Sequence, residues 1–196
     1  PHARGPRGHV LVSTRGDAPA ARRAGTAPRG VAPNALHATF SCMTDMPIEN
    51  VQDYPRPPAL EPVAERLLVR LGGAVVADTR HGYRVLETHH APTYYIPRED
   101  IRAALRPAPG RSLCEWKGQA RYFDVAAGGA TAPRAAWTYE RPTPRFRPIA
   151  GHVAFYAGAM EACFVGDAPV RPQPGDFYGG WVADNLRGRA KGAPGT

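Results

Sequence analysis

Proline and glycine interrupt this chain too often for it to build long helices. There are 22 prolines and 21 glycines among 196 residues. Proline lacks a backbone donor and glycine loses the most conformational freedom on ordering, so both break helix interiors and gather in turns. Their share stays below the roughly 25–30% that marks a low-complexity chain. Apolar residues make up 43%, enough for a core. Such a chain is expected to fold into short strands joined by turns. No run of about 18 apolar residues occurs, so no membrane-spanning helix is expected.

The net charge is +8, from 25 basic and 17 acidic residues. Lys117 and Lys191 are the only lysines; every other basic residue is an arginine. The arginines are scattered, and residues 1–44 hold six of them against one acid, Asp17. No run of about five to eight basic residues marks a nucleic-acid surface, so nucleic-acid binding is not expected. The cysteines are Cys42, Cys114 and Cys163, with no CxxC pair. An odd count without that spacing predicts neither a disulfide framework nor a four-thiolate zinc site. Neither a metal nor a cofactor is expected. The N-terminal residues lack the apolar stretch of a secretory signal, which together with the cysteine usage points to a cytoplasmic setting.

Residues 1–44 are rich in Arg, Ala, Gly and Pro and show no periodicity, and are expected to be a disordered extension. Residues 45–196 are expected to form one domain. It opens with an extended arm over 47–62, which carries five prolines. Strands over 66–71 and 74–78 flank Gly72-Gly73, a hairpin signal. Further strands are predicted over 83–88 and 93–96. Pro97 and the acids Glu99 and Asp100 suit a helix first turn, and Ile101, Ala104 and Leu105 give a stripe, so one short helix is predicted over 98–105. A second hairpin over 112–116 and 121–126 turns at Lys117-Gly118. Strands over 135–140, 153–156 and 162–165 follow, then a Gly/Pro-rich tail over 171–196. The fold class is therefore mainly β with antiparallel sheets and one short helix.

Seven phrases are specific in their order and spacing: ENVQDYPRPPALEP (49–62), GGAVVADT (72–79), VLETHHAPTYYIPRED (85–100), CEWKGQARYFDV (114–125), AAWTYERP (135–142), HVAFY (152–156) and FYGGWV (177–182). The chain resembles the domain of unknown function 427 family over roughly 45–196. The resemblance implies a small β-tent-like domain, in which two antiparallel sheets meet at an angle and enclose a pocket. Many β-tent proteins hold zinc with two CxxC knuckles, which this chain lacks. The family also carries a nucleotidyltransferase label with no mechanism attached.

The candidate residues lie in the same phrases. Cys114 beside Lys117 reads either as an activated thiol or as a small buried apolar residue. Strand alternation puts Cys114 and Trp116 on one face and Glu115 and Lys117 on the other. A lysine kept in a chain that otherwise uses arginine suggests a need for a compact ammonium, against the reading of a solvated turn residue. Glu87 and His89 share a strand face and could form an acid–base pair. The family pattern fits His90 better, with Glu87, Pro92, Tyr95 and Pro97. Tyr95, Trp116, Trp137 and Tyr139 are either core or the wall of a ligand pocket. Glu87 and Lys117 could face a ligand or pair with each other.

The function expected is a small-molecule-binding pocket domain, with enzymatic activity left open. One alternative is nucleotidyl transfer. Against it, no P-loop is present, and the closest acid pair, Glu99-Asp100, reads as a first turn. The other alternative is an interaction module that docks through the arm.

Overall fold

A computed structural model of the chain describes residues 46–175 and 177–192. The disordered extension expected over 1–44 lies outside the described residues. The strands, in chain order, are β1 (Glu49–Asn50), β2 (Ala59–Pro62), β3 (Leu67–Leu71), β4 (Ala74–Thr79), β5 (Tyr83–Leu86), β6 (Thr93–Tyr95), β7 (Ala104–Cys114) and β8 (Gly118–Ala127). They continue with β9 (Ala130–Thr138), β10 (Val153–Phe155), β11 (Ala162–Val165), β12 (Ala168–Pro169), β13 (Arg171–Pro172), β14 (Trp181–Val182) and β15 (Leu186–Arg187). The helical content of the described residues is three 3-10 turns, Arg98–Asp100, Pro144–Ile149 and Ala157–Ala159. The mainly β, antiparallel expectation therefore holds. Among the described residues no helix is long and apolar enough to cross a membrane.

Two four-stranded antiparallel sheets carry most of the fold, in the orders β10-β9-β8-β7 and β12-β11-β3-β4. A third sheet, β2-β5-β6, is joined to the first by a bridge between Ile96 and Val153. Leu67, Val69 and Leu71 alternate with Leu68 and Arg70, so β3 buries one face. That face packs with Val76, Ile96, Val125, Val153, Phe155 and Trp181. Each such side chain, fully buried, is worth about 1.5–3 kcal/mol. A second cluster holds Val85, Tyr95, Tyr122, Trp137, Tyr139, Phe146 and Ile149, and it backs the cavity described below.

The predicted hairpin at Gly72-Gly73 is β3–β4. Its tip meets the tip of the β8–β9 hairpin. A Cβ on Gly128 would lie 1.9 Å from the Gly72 carbonyl oxygen, and both glycines have positive φ. Only glycine lets two turn backbones approach this closely.

The helix expected over 98–105 is corrected to the single turn Arg98–Asp100. Ile101 bridges to Ala77, and Arg102 N–H donates to the Val76 carbonyl, so the chain runs along the edge of β4. Ile101, Ala103 and Leu105 are half-buried while Arg102 and Ala104 differ in exposure from them, a period of two that over five residues is indistinguishable from a short helical stripe. Strand β7 then carries Pro107 and Pro109, tolerated because β7 is an edge strand.

The arm over 47–62 docks on the domain's own sheets. β2 pairs with β5, and β1 pairs with β15 in parallel. Val51 and Tyr54 are buried with Leu86. Within the region expected to be a tail, Trp181 is 1% exposed and its indole N–H donates to the Phe155 carbonyl at 2.8 Å. That residue belongs to the core.

Candidate functional site

One end of the β10-β9-β8-β7 sheet, the turn after β5 and the segment before β14 surround a cavity of about 260 Å3. Tyr95 enters from the end of β6, Trp137 from β9 and Tyr139 from just beyond it. Cys114 closes β7. Trp116 and Lys117 lie in the β7–β8 turn, and Glu87 and His90 in the turn that follows β5. All eight line the cavity.

The strand alternation expected through 114–117 ends at Cys114. Glu115, Trp116 and Lys117 form the turn, so Cys114, Trp116, Glu115 and Lys117 all reach the same cavity. Two hydrogen bonds pin this turn to the segment beyond β9. Thr143 N–H donates to the Lys117 carbonyl at 3.2 Å, and Thr143 Oγ1 donates to the Trp116 carbonyl at 2.6 Å.

Lys117 is only 8% exposed, which removes the solvated-turn reading. Its Nζ sits 5.9 Å from the Tyr139 ring centroid and 5.7 Å from that of Phe146. Among the described residues it makes no ion pair. Glu87 is held instead by Arg56, at 3.4 Å, and the same guanidinium holds Glu115 at 2.8 Å. The Glu87–Lys117 pair does not form. Arg56 also stacks 5.6 Å from the Trp116 ring centroid.

The shared-face pair of Glu87 and His89 is likewise absent, because the strand stops at Leu86. His90 N–H bonds back to the Glu87 carbonyl, and His89 has a φ of 63°. His89 is exposed and does not line the cavity, whereas His90 does. The Nδ1 of His90 lies 2.9 Å from the Thr88 carbonyl, so Nδ1 carries the proton and Nε2 is an acceptor. Burial pushes the His90 pKa below its ordinary value. Glu87 and the Thr88 carbonyl oppose that shift, and Lys191 and Lys117 add to it.

Burial also raises the phenols of Tyr95 and Tyr139, which keeps both neutral. The Trp137 indole partly offsets the shift at Tyr95. The Tyr95 hydroxyl and the Trp116 indole N–H are buried without a hydrogen bond of normal geometry. Cys163 lies in the other core, its thiol pushed up to about 12 by burial. Among the described residues no three His, Cys, Asp or Glu side chains are grouped as a metal ion would require.

Several lining residues were not singled out from the sequence. Arg56 comes from the arm, Lys191 from beyond β15, and Phe177 to Gly180 form the rim. A Cβ on Gly179 would lie 2.0 Å from the Trp137 ring, and one on Gly180 2.4 Å from Gln173 Oε1. The Gly-Gly of FYGGWV therefore lets the rim lie directly on the aromatic wall. Lys191 had a signal: it is the second of the two lysines. Arg56 had none that local spacing could carry.

A family model described as a domain of unknown function (DUF427) matches residues 59–166. All eight candidates from the sequence fall inside that span; Arg56, Lys191 and the rim fall outside it. No curated protein matches the chain.

Proposed function

Because the chain belongs to the DUF427 family of domains of unknown function, a membership that fixes no reaction, we propose from its own residues that it is a small-molecule-binding domain. The ligand sits in the cavity between the β7–β8 turn and the turn after β5. The observation that carries this reading is Lys117. Its side chain is largely buried and its ammonium has no ion-pair partner among the described residues, and drawing an unpaired charge out of water costs stability unless something compensates it. Two aromatic rings near 6 Å compensate only in part. A bound ligand supplies the rest. Aromatic walls with a few convergent polar groups are the usual makeup of such a site.

A thermal-shift screen of small acids, bases and nucleotides, with and without Mg2+, tests the reading. Stabilisation scales as RT ln(1 + [L]/Kd), about 2.7 kcal/mol at a hundredfold excess. The reading expects a shift that Lys117→Met removes while the variant stays folded. A shift that Lys117→Met and Glu87→Gln both leave intact moves the site elsewhere. A Mg2+-dependent shift confined to nucleoside triphosphates would favour nucleotidyl transfer instead.

A further inference from the structure

The polar groups around the cavity sort by whether they already have partners. The carboxylates of Glu87 and Glu115 are engaged by Arg56. Gln173 is engaged at both ends, accepting from Ala91 N–H at 2.9 Å and donating to the Lys191 carbonyl at 3.0 Å. Ser112 and Tyr122 bond each other at 2.7 Å. His90 spends its N–H on Thr88 and leaves one acceptor, Nε2. Three groups stand out without a partner: the Trp116 indole N–H and the Lys117 ammonium, which can only donate, and the Tyr95 hydroxyl, which can donate or accept.

Charge points the same way. The chain has 25 basic residues and only two are lysine, yet both lysines line this cavity. An ammonium is a compact point charge on a flexible stem, suited to a small oxyanion. Arg56, Lys117 and Lys191 outnumber Glu87 and Glu115 on the wall. The wall also carries several rings, including Tyr95, Trp116, Trp137 and Tyr139. About 260 Å3 lies below the roughly 300–1,000 Å3 of drug-sized sites, so the space suits one ring with a short substituent.

We propose that the cavity binds a small planar ring bearing a carboxylate or comparable oxyanion, with the anion at Lys117 and the ring among Trp116, Trp137 and Tyr139. This rests on the pocket reading above and adds the sign and shape of the ligand. Four probes of one ring and different charge test it: benzoate, phenyl phosphate, benzamide and benzylamine, titrated calorimetrically into the full chain. Benzoate or phenyl phosphate is expected to bind at least about tenfold more tightly than benzamide and benzylamine, as a desolvated charge pair implies. Lys117→Met should remove that preference and leave benzamide unchanged. If Lys117→Met does not fold, the ranking of the four probes on the unsubstituted chain decides alone. Benzamide or benzylamine binding as tightly as both anions overturns the charge assignment and leaves the pocket reading standing. Binding of none of the four overturns both.

Discussion

Lys117 sits where two local facts meet. Gly118, at a φ of 96°, allows the tight turn, and Thr143 fastens that turn to the segment beyond β9. The ammonium is thus carried into an aromatic recess with no carboxylate beside it. Lys117→Met exchanges two weak cation–π contacts for apolar burial and strands no partner charge. Its unfolding free energy should stay within about 1 kcal/mol of the parent. A denaturant titration showing a loss well beyond that would mean Lys117 holds the fold together. His90 makes a pH prediction. Its folded pKa lies below its ordinary value, so the unfolded chain takes up the proton more readily. The contribution is present above the unfolded value of roughly 6.5 and is lost as pH falls through the lower folded value. Urea midpoints measured between neutral pH and about pH 5.5 should fall more for the parent than for His90→Asn. Equal losses would contradict the assignment.

At the scale of elements, turn chemistry was legible and competing periods were not. Gly72-Gly73 between two alternating runs specified β3–β4, and the run over 162–165 is β11. The stretch 98–105 misled because five residues cannot separate a period of two from one of 3.6. The acids of its first turn are real, but Asp100 receives a hydrogen bond from Thr79 Oγ1 across β4 and opens no helix. The meeting of the two hairpin tips gives a sharp contrast. Gly129 has a positive φ, yet an added Cβ would meet nothing within 4 Å. Gly129→Ala should therefore cost only the left-handed conformation, about 1 kcal/mol. Gly128→Ala adds a clash with the Gly72 backbone and should cost more than about 2 kcal/mol. Thermal unfolding of the two variants in parallel checks this; equal losses would mean the tips do not press together.

For the whole molecule, the site assembles from segments far apart in sequence. Local pattern and residue type were enough to single out Glu87, His90, Tyr95, Cys114, Trp116, Lys117, Trp137 and Tyr139. Arg56 and the 177–180 rim arrive through the arm and the region after β13, whose placement depends on long-range pairings such as β1 with β15 and Gln173 with Ala91. No spacing within a segment encodes those. The burial of Lys117 was equally invisible, because exposure belongs to the assembled fold. The central claim is that this cavity is a small-molecule site, and the three indoles report on it directly. Trp116 and Trp137 line the cavity, while Trp181 is buried away from it and bonded to Phe155. A 1H–15N spectrum recorded during a benzoate titration should therefore move the Trp116 and Trp137 indole signals and leave the Trp181 signal in place. Indole signals that all stay fixed, or a Trp181 signal that moves alone, would contradict the account.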